Sequence, residues 1–119
     1  MPDPPQVTLK SRLRNAMTRL EKLQTMLQDS PDDGFLNYAL AMEYVSAART
    51  DDALAAFRRV LTIDAQNSAA WFQLAQLQSG MSDFNAARES AAQGVAVARA
   101  QGDQHAAEEI GGFLESLPT

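Results

Sequence analysis

The sequence has no cysteine and one histidine, His105, among its 119 residues. Without cysteine there is no disulfide framework, no thiolate zinc site and no cysteine nucleophile. A single imidazole leaves no cluster of nitrogen ligands and little material for histidine-based catalysis. Aromatic residues make up only 7% of the chain. No run of about 18 apolar residues occurs, which excludes a membrane-spanning helix. Valine and isoleucine together number seven, too few for an extensive β-sheet. Alanine, the best helix former, supplies 21 residues. With 45% apolar and 21% charged residues the chain is globular, and its length suits one domain. The expectation is an all-α domain that is not an enzyme.

The formal charge of −5 is unevenly spread. Lys10, Arg12, Arg14, Arg19 and Lys22 face only Asp3 and Glu21 within residues 1–22, a net +3, while residues 23–119 carry a net −8. The overall acidity argues against nucleic acid or an anionic membrane, since phosphate binding needs a sustained positive field. Residues 1–34 also hold no aromatic side chain on which a base could stack. A solvated basic helix face over an acidic body is the plain reading. A basic arm meeting the acidic body of another copy is the sharper one. The opening Met1-Pro2-Asp3-Pro4-Pro5 lacks the basic start and apolar run of a signal peptide, so the expected compartment is cytoplasmic. Residues 1–7 are expected to form a disordered lead-in.

Six amphipathic segments follow. The first, Leu9 to Gln28, places Leu13, Ala16, Leu20, Leu23 and Leu27 on one stripe behind Thr8 as N-cap. The second spans about Phe35 to Ala48. The third spans about Asp52 to Thr62, after a turn and cap at Thr50-Asp51-Asp52. The fourth spans about Ala69 to Gln78, behind Asn67. The fifth spans Phe84 to Ala100, and the sixth Gln104 to Leu117. The intervening breaks, about three to five residues long, imply antiparallel neighbours and leave no loop long enough for an active site.

Residues 34–67 shift onto 68–101 by 34 positions. Leu40 falls on Leu74, Ala41 on Ala75, Ala53 on Ala87, and Tyr38 on Phe72. A helix–turn–helix period of 34 residues resembles the tetratricopeptide repeat. Leu40, Ala41, Tyr44, Ala53 and Phe57 stand where that family has its Leu, Gly/Ala, Tyr, Ala and Phe. Trp71, Leu74, Ala75, Ala87 and Gly94 match in the second repeat, and Ser82-Asp83-Phe84 resembles the family's Gly-Asp-Tyr turn. The departures are Asn37 for Trp, Val60 at a small position, Ala65 for the closing Pro, Gln78 for Tyr and Ala91 for Phe. The domain expected over 8–117 therefore comprises a half repeat (8–29), two repeats (34–67 and 68–101) and a capping helix (103–117). Small residues let backbones approach closely, and large ones fill the space between neighbours.

The resemblance implies a right-handed superhelix whose first helices line a concave face. The family's groove positions hold Phe35, Tyr38, Ala39, Met42, Val45 and Ser46, then Ala69, Phe72, Gln73, Gln76, Ser79 and Gly80. The expected peptide site is Phe35, Tyr38, Met42, Val45, Phe72, Gln73 and Gln76, where aromatics and Met give contact area and amides bond a peptide backbone. Equally, Phe35, Met42 and Phe72 could simply pack against the first or last helix. Some relatives clamp a chaperone's C-terminal carboxylate with Lys, Asn and Arg. Tyr38, Met42 and Gln73 stand at those positions here, which argues against that activity. The expected function is a non-catalytic adaptor or scaffold that binds a peptide segment of a protein partner. The alternative is self-association through the first helix. No cofactor or metal is expected: His105 beside Glu108 and Glu109 is the only weak candidate, and surface exposure explains it. The acidic pairs Asp32-Asp33 and Asp51-Asp52 are read as helix caps. Gly111-Gly112 inside the last helix calls for close backbone packing or a hinge.

Overall fold

A computed structural model of the chain describes residues 8–119. The lead-in expected over residues 1–7 lies outside the described residues. Those described form six α-helices and no strand: α1 (Leu9–Asp29), α2 (Gly34–Ser46), α3 (Thr50–Ile63), α4 (Ser68–Gly80), α5 (Phe84–Ala100) and α6 (Gln104–Ser116). Each helix packs mainly on its neighbours in the chain. The result is elongated: the radius of gyration is 16.1 Å, against about 13–14 Å for a compact domain of this length.

Side-chain caps start five of the six helices. Thr8, Asp33, Asn67, Asp83 and Asp103 each accept a hydrogen bond from a first-turn amide. The exception corrects the sequence reading. The third helix begins two residues early, at Thr50, with Arg49 at the cap and no side-chain cap bond. Asp51 and Asp52 therefore lie inside the first turn, where they favour the positive end of the helix dipole. Asp52 pairs with Arg49 at 2.8 Å. Of the other pair, Asp33 caps α2 and Asp32 pairs with Arg59.

Two turns share an unexpected backbone. Ala48 (φ 58°) and Ser82 (φ 63°), 34 residues apart, both adopt the left-handed conformation. Behind them, the Arg49 amide donates to the Tyr44 carbonyl and the Asp83 amide to the Gln78 carbonyl, each at 2.9 Å. This geometry closes a helix while satisfying its last carbonyls. It turns α2 back into α3, and α4 into α5, in the same way.

The core lies in two linked clusters. Ala41, Leu54, Phe57, Val60, Leu61, Ala70 and Leu74 join α2, α3 and α4. Ala75, Ala91, Val95 and Ile110 join α4, α5 and α6. Ala41, Ala53, Ala75 and Ala87 are wholly buried, as residues setting close helix approach should be. Gly94 does the same on α5: a Cβ there would meet Trp71 Cβ at 3.2 Å and Ile110 Cδ1 at 3.3 Å. Asn37, where the family has Trp, is buried and donates to the Pro31 and Asp33 carbonyls at 3.0 and 2.8 Å.

α1 is held differently. Only Ala16 and Leu20 of its 21 residues are buried. A polar seam supplements them. Arg19 Nε donates to Glu43 Oε1 at 2.7 Å, and Gln24 donates to the Tyr44 hydroxyl at 3.2 Å. The Arg49 guanidinium lies 4.9 Å from the centre of the Tyr44 ring. The Gly111-Gly112 pair runs through α6 without breaking it. A Cβ at either glycine would meet nothing within 4 Å, so close packing inside the chain does not explain the pair.

Candidate functional site

The apolar residues of α2 and α4 divide by what covers them. Phe35 is 82% exposed and Val45 is also open to solvent. Tyr38 and Met42 pack on the first core cluster, Tyr38 edge-on to Phe57 with ring centroids 5.8 Å apart. Phe72 packs on the second cluster, edge-on to Phe113 of α6 at 5.5 Å. For Met42 and Phe72, then, packing within the chain accounts for part of each side chain. For Phe35 it does not. Gln73 is half-buried, and Gln76 is exposed.

Phe35 and Tyr38 line a cleft of about 380 Å³, between the first turns of α2 and α4 and the last turn of α3. Gly34 and Ala69 also line it, and Val60 contributes from α3. Asp64 and Asn67, on the α3–α4 turn, add polar groups and the only charge. Reasoning from repeat positions missed Val60, Asp64 and Asn67, because they belong to the second helix and the turn after it. Met42, Val45, Phe72, Gln73 and Gln76 do not line this cleft. Burial raises the Tyr38 hydroxyl above the usual phenol pKa, and the Gln73 side chain lowers it partly back. The hydroxyl is thus an uncharged hydrogen-bonding group at neutral pH.

The cleft presents apolar side chains with one carboxylate and one amide. Its chemistry is contact area plus a few hydrogen-bonding groups. At the other end of the chain, His105 is largely exposed and lies 3.8 Å from Glu109. Among the described residues, no group of three or more His, Asp or Glu side chains is gathered as a metal ion would need. Nor is any described helix long and apolar enough to cross a membrane.

A known family's sequence profile, described as tetratricopeptide repeat, matches residues 44–109. The chain belongs to the tetratricopeptide repeat family. A TPR repeat-containing protein of Pseudomonas aeruginosa is 31% identical over 98 residues, covering 82% of this chain and 93% of that relative. A Bordetella parapertussis protein known from a solution structure is 32% identical and superposes with a TM-score of 0.71, over 81% of this chain and 84% of that one. Tetratricopeptide repeats generally mediate protein–protein interaction and are typically not catalytic. In this member, the left-handed Ala48 and Ser82 occupy the place of the glycine in the family's Gly-Asp-Tyr turn.

Proposed function

We propose that this protein is a non-catalytic adaptor that binds an apolar peptide segment of a partner protein on the face shared by α2 and α4. The observation that carries the proposal is Phe35, a large aromatic 82% exposed at the rim of an apolar cleft. An isolated exposed side chain needs no explanation, but an aromatic beside a concave apolar surface is the usual form of a binding anchor. Tyr38, Met42, Val45, Phe72, Gln73 and Gln76 extend the same face without a charge. A carboxylate-terminated ligand finds no cation there. Asp64 and Asn67, at the cleft's edge, suit backbone amides of the bound segment or a basic side chain next to its apolar anchor.

The test separates anchoring from folding. Tyr38 and Phe72 pack in part on the core clusters, so truncating them disturbs the fold together with the face. Phe35→Ala leaves the core intact. A displayed library of random peptides, panned on the wild-type chain, should enrich apolar, uncharged or basic sequences that lose at least about tenfold in affinity to Phe35→Ala. Enriched peptides that bind both chains equally, or that are uniformly acidic, would overturn the proposal. The self-association reading uses a different surface, on α1.

A further inference from the structure

Extending the 34-residue period beyond the two repeats assigns α1 and α6 definite places. α1 takes the place of a second helix, equivalent to α3 and α5. α6 takes the place of a first helix, equivalent to α2 and α4. Within each repeat those two kinds of helix pack together. Among the described residues, α1 has no first-type partner preceding it, and α6 has no second-type partner following it.

The residues at the vacant contacts are unlike their equivalents inside the array. On α6, Glu108 stands where α2 and α4 have Leu40 and Leu74, and Glu109 where they have the buried Ala41 and Ala75. On α1, Arg19 stands where α3 and α5 have the buried Ala53 and Ala87, and Lys22 where they have Ala56 and Ser90. Met26 is 51% exposed, at the place where Val60 is 1% exposed. Glu108, Glu109 and Lys22 are all open to solvent, and the Arg19 side chain is half-exposed beside Glu43. Solvation alone asks for polar residues at both ends. It does not ask for acids at one end and bases at the other. α6 carries three Glu and no Lys or Arg, whereas α1 carries five bases against Glu21 and Asp29.

We infer that copies of this chain associate head to tail: α6 of one copy receives α1 of the next, and together they complete a helix pair like α2–α3. This rests on the self-association reading and not on the peptide face. Glu108 and Glu109 of one copy would face Arg19 and Lys22 of the next, with Met26 covered between them. Long charged side chains in place of Ala–Ala hold the two helices further apart than in an internal repeat. The junction is therefore weak, screened by salt and reversible. Because the two joined surfaces differ, the contact does not close as a two-fold symmetric pair and is free to repeat from copy to copy.

The experiment is sedimentation velocity on the full chain over a concentration series, at low and at high salt. Two variants alter exposed residues only: Lys22→Glu/Met26→Asp disables the α1 surface, and Glu108→Gln/Glu109→Gln weakens the α6 surface. The wild type should grow with concentration at low salt and return to monomer at high salt. Each variant alone should associate at least about tenfold more weakly, with helicity unchanged. An equimolar mixture of the two should form a one-to-one pair and no longer species, since it holds one intact surface of each kind. A wild type monomeric throughout would overturn the inference. So would an α6 variant that associates as well as the wild type, which would mean that α1 pairs with itself, and so would a mixture that forms no pair.

Discussion

Ser90 donates a hydrogen bond of 2.7 Å to the side-chain carbonyl of Gln78, and both residues are buried between α4 and α5. Gln78 replaces the family's Tyr, and a hydroxyl from α5 meets it. Ser90→Ala leaves the buried amide oxygen without its partner, a loss of about 1–3 kcal/mol. Urea denaturation should show a lower midpoint with unchanged slope. Gln78→Leu/Ser90→Ala, which removes both polar groups, should recover most of the loss.

The left-handed turns make the opposite kind of prediction. A residue with a Cβ in that conformation is disfavoured by about 1–2 kcal/mol, and glycine escapes the penalty. Ala48→Gly and Ser82→Gly should each raise the melting temperature, against the usual destabilising effect of glycine. The increments should add, since the two turns are separate.

Much of this fold was legible from residue types alone. Leu40 with Leu74, Ala41 with Ala75 and Ala53 with Ala87 betray the period, because close helix packing tolerates few substitutes at those places. The capping residues also speak locally: Asp33, Asn67, Asp83 and Asp103 start helices wherever they meet an amphipathic run. Ala48 and Ser82 gave no such signal, since neither residue type advertises a left-handed backbone. Residue types alone do not fix the start of α3, because Asp51 and Asp52 suit a first turn as well as they suit a cap. The candidate face was only partly legible. Phe35 and Phe72 fall on it by repeat position, but Phe113, 41 residues further on, packs edge-on against Phe72, and a repeat grid does not reveal which aromatic a capping helix will touch.

Two glycines in neighbouring helices should respond differently to alanine, with a gain at one that the other lacks. At Gly111 the added methyl enters open space. Gly111→Ala should stabilise by about 1 kcal/mol through helix propensity. At Gly94 the methyl meets Trp71 Cβ, which is fixed to the α4 backbone, and overpacking of about 1–3 kcal/mol cancels or exceeds that gain. Thermal melts of the two variants at high salt measure the contrast.

Tyr38 carries an alkaline signature. Its phenol pKa is raised in the folded chain, chiefly by burial. The folded state therefore holds this proton more tightly than the unfolded state. The associated stability is complete below the unfolded phenol pKa of about 10, and is lost as pH rises through the folded value. Absorbance titration should show a phenol ionising later than a free tyrosine, and Tyr38→Phe should remove that late component. If stability above pH ~10 falls as steeply in Tyr38→Phe as in the wild type, the loss has another source.

Each helix touches chiefly the helices next to it in the chain, so almost every contact closes a short loop. Folding can then start in any adjacent pair and spread outward one helix at a time, with little entropy lost to distant closures. The same geometry grades the molecule along its length. The α4–α5 pair, joined on both sides, should exchange its amide hydrogens last. α1, with two buried residues and a polar seam, should open first and leave the remaining helices standing.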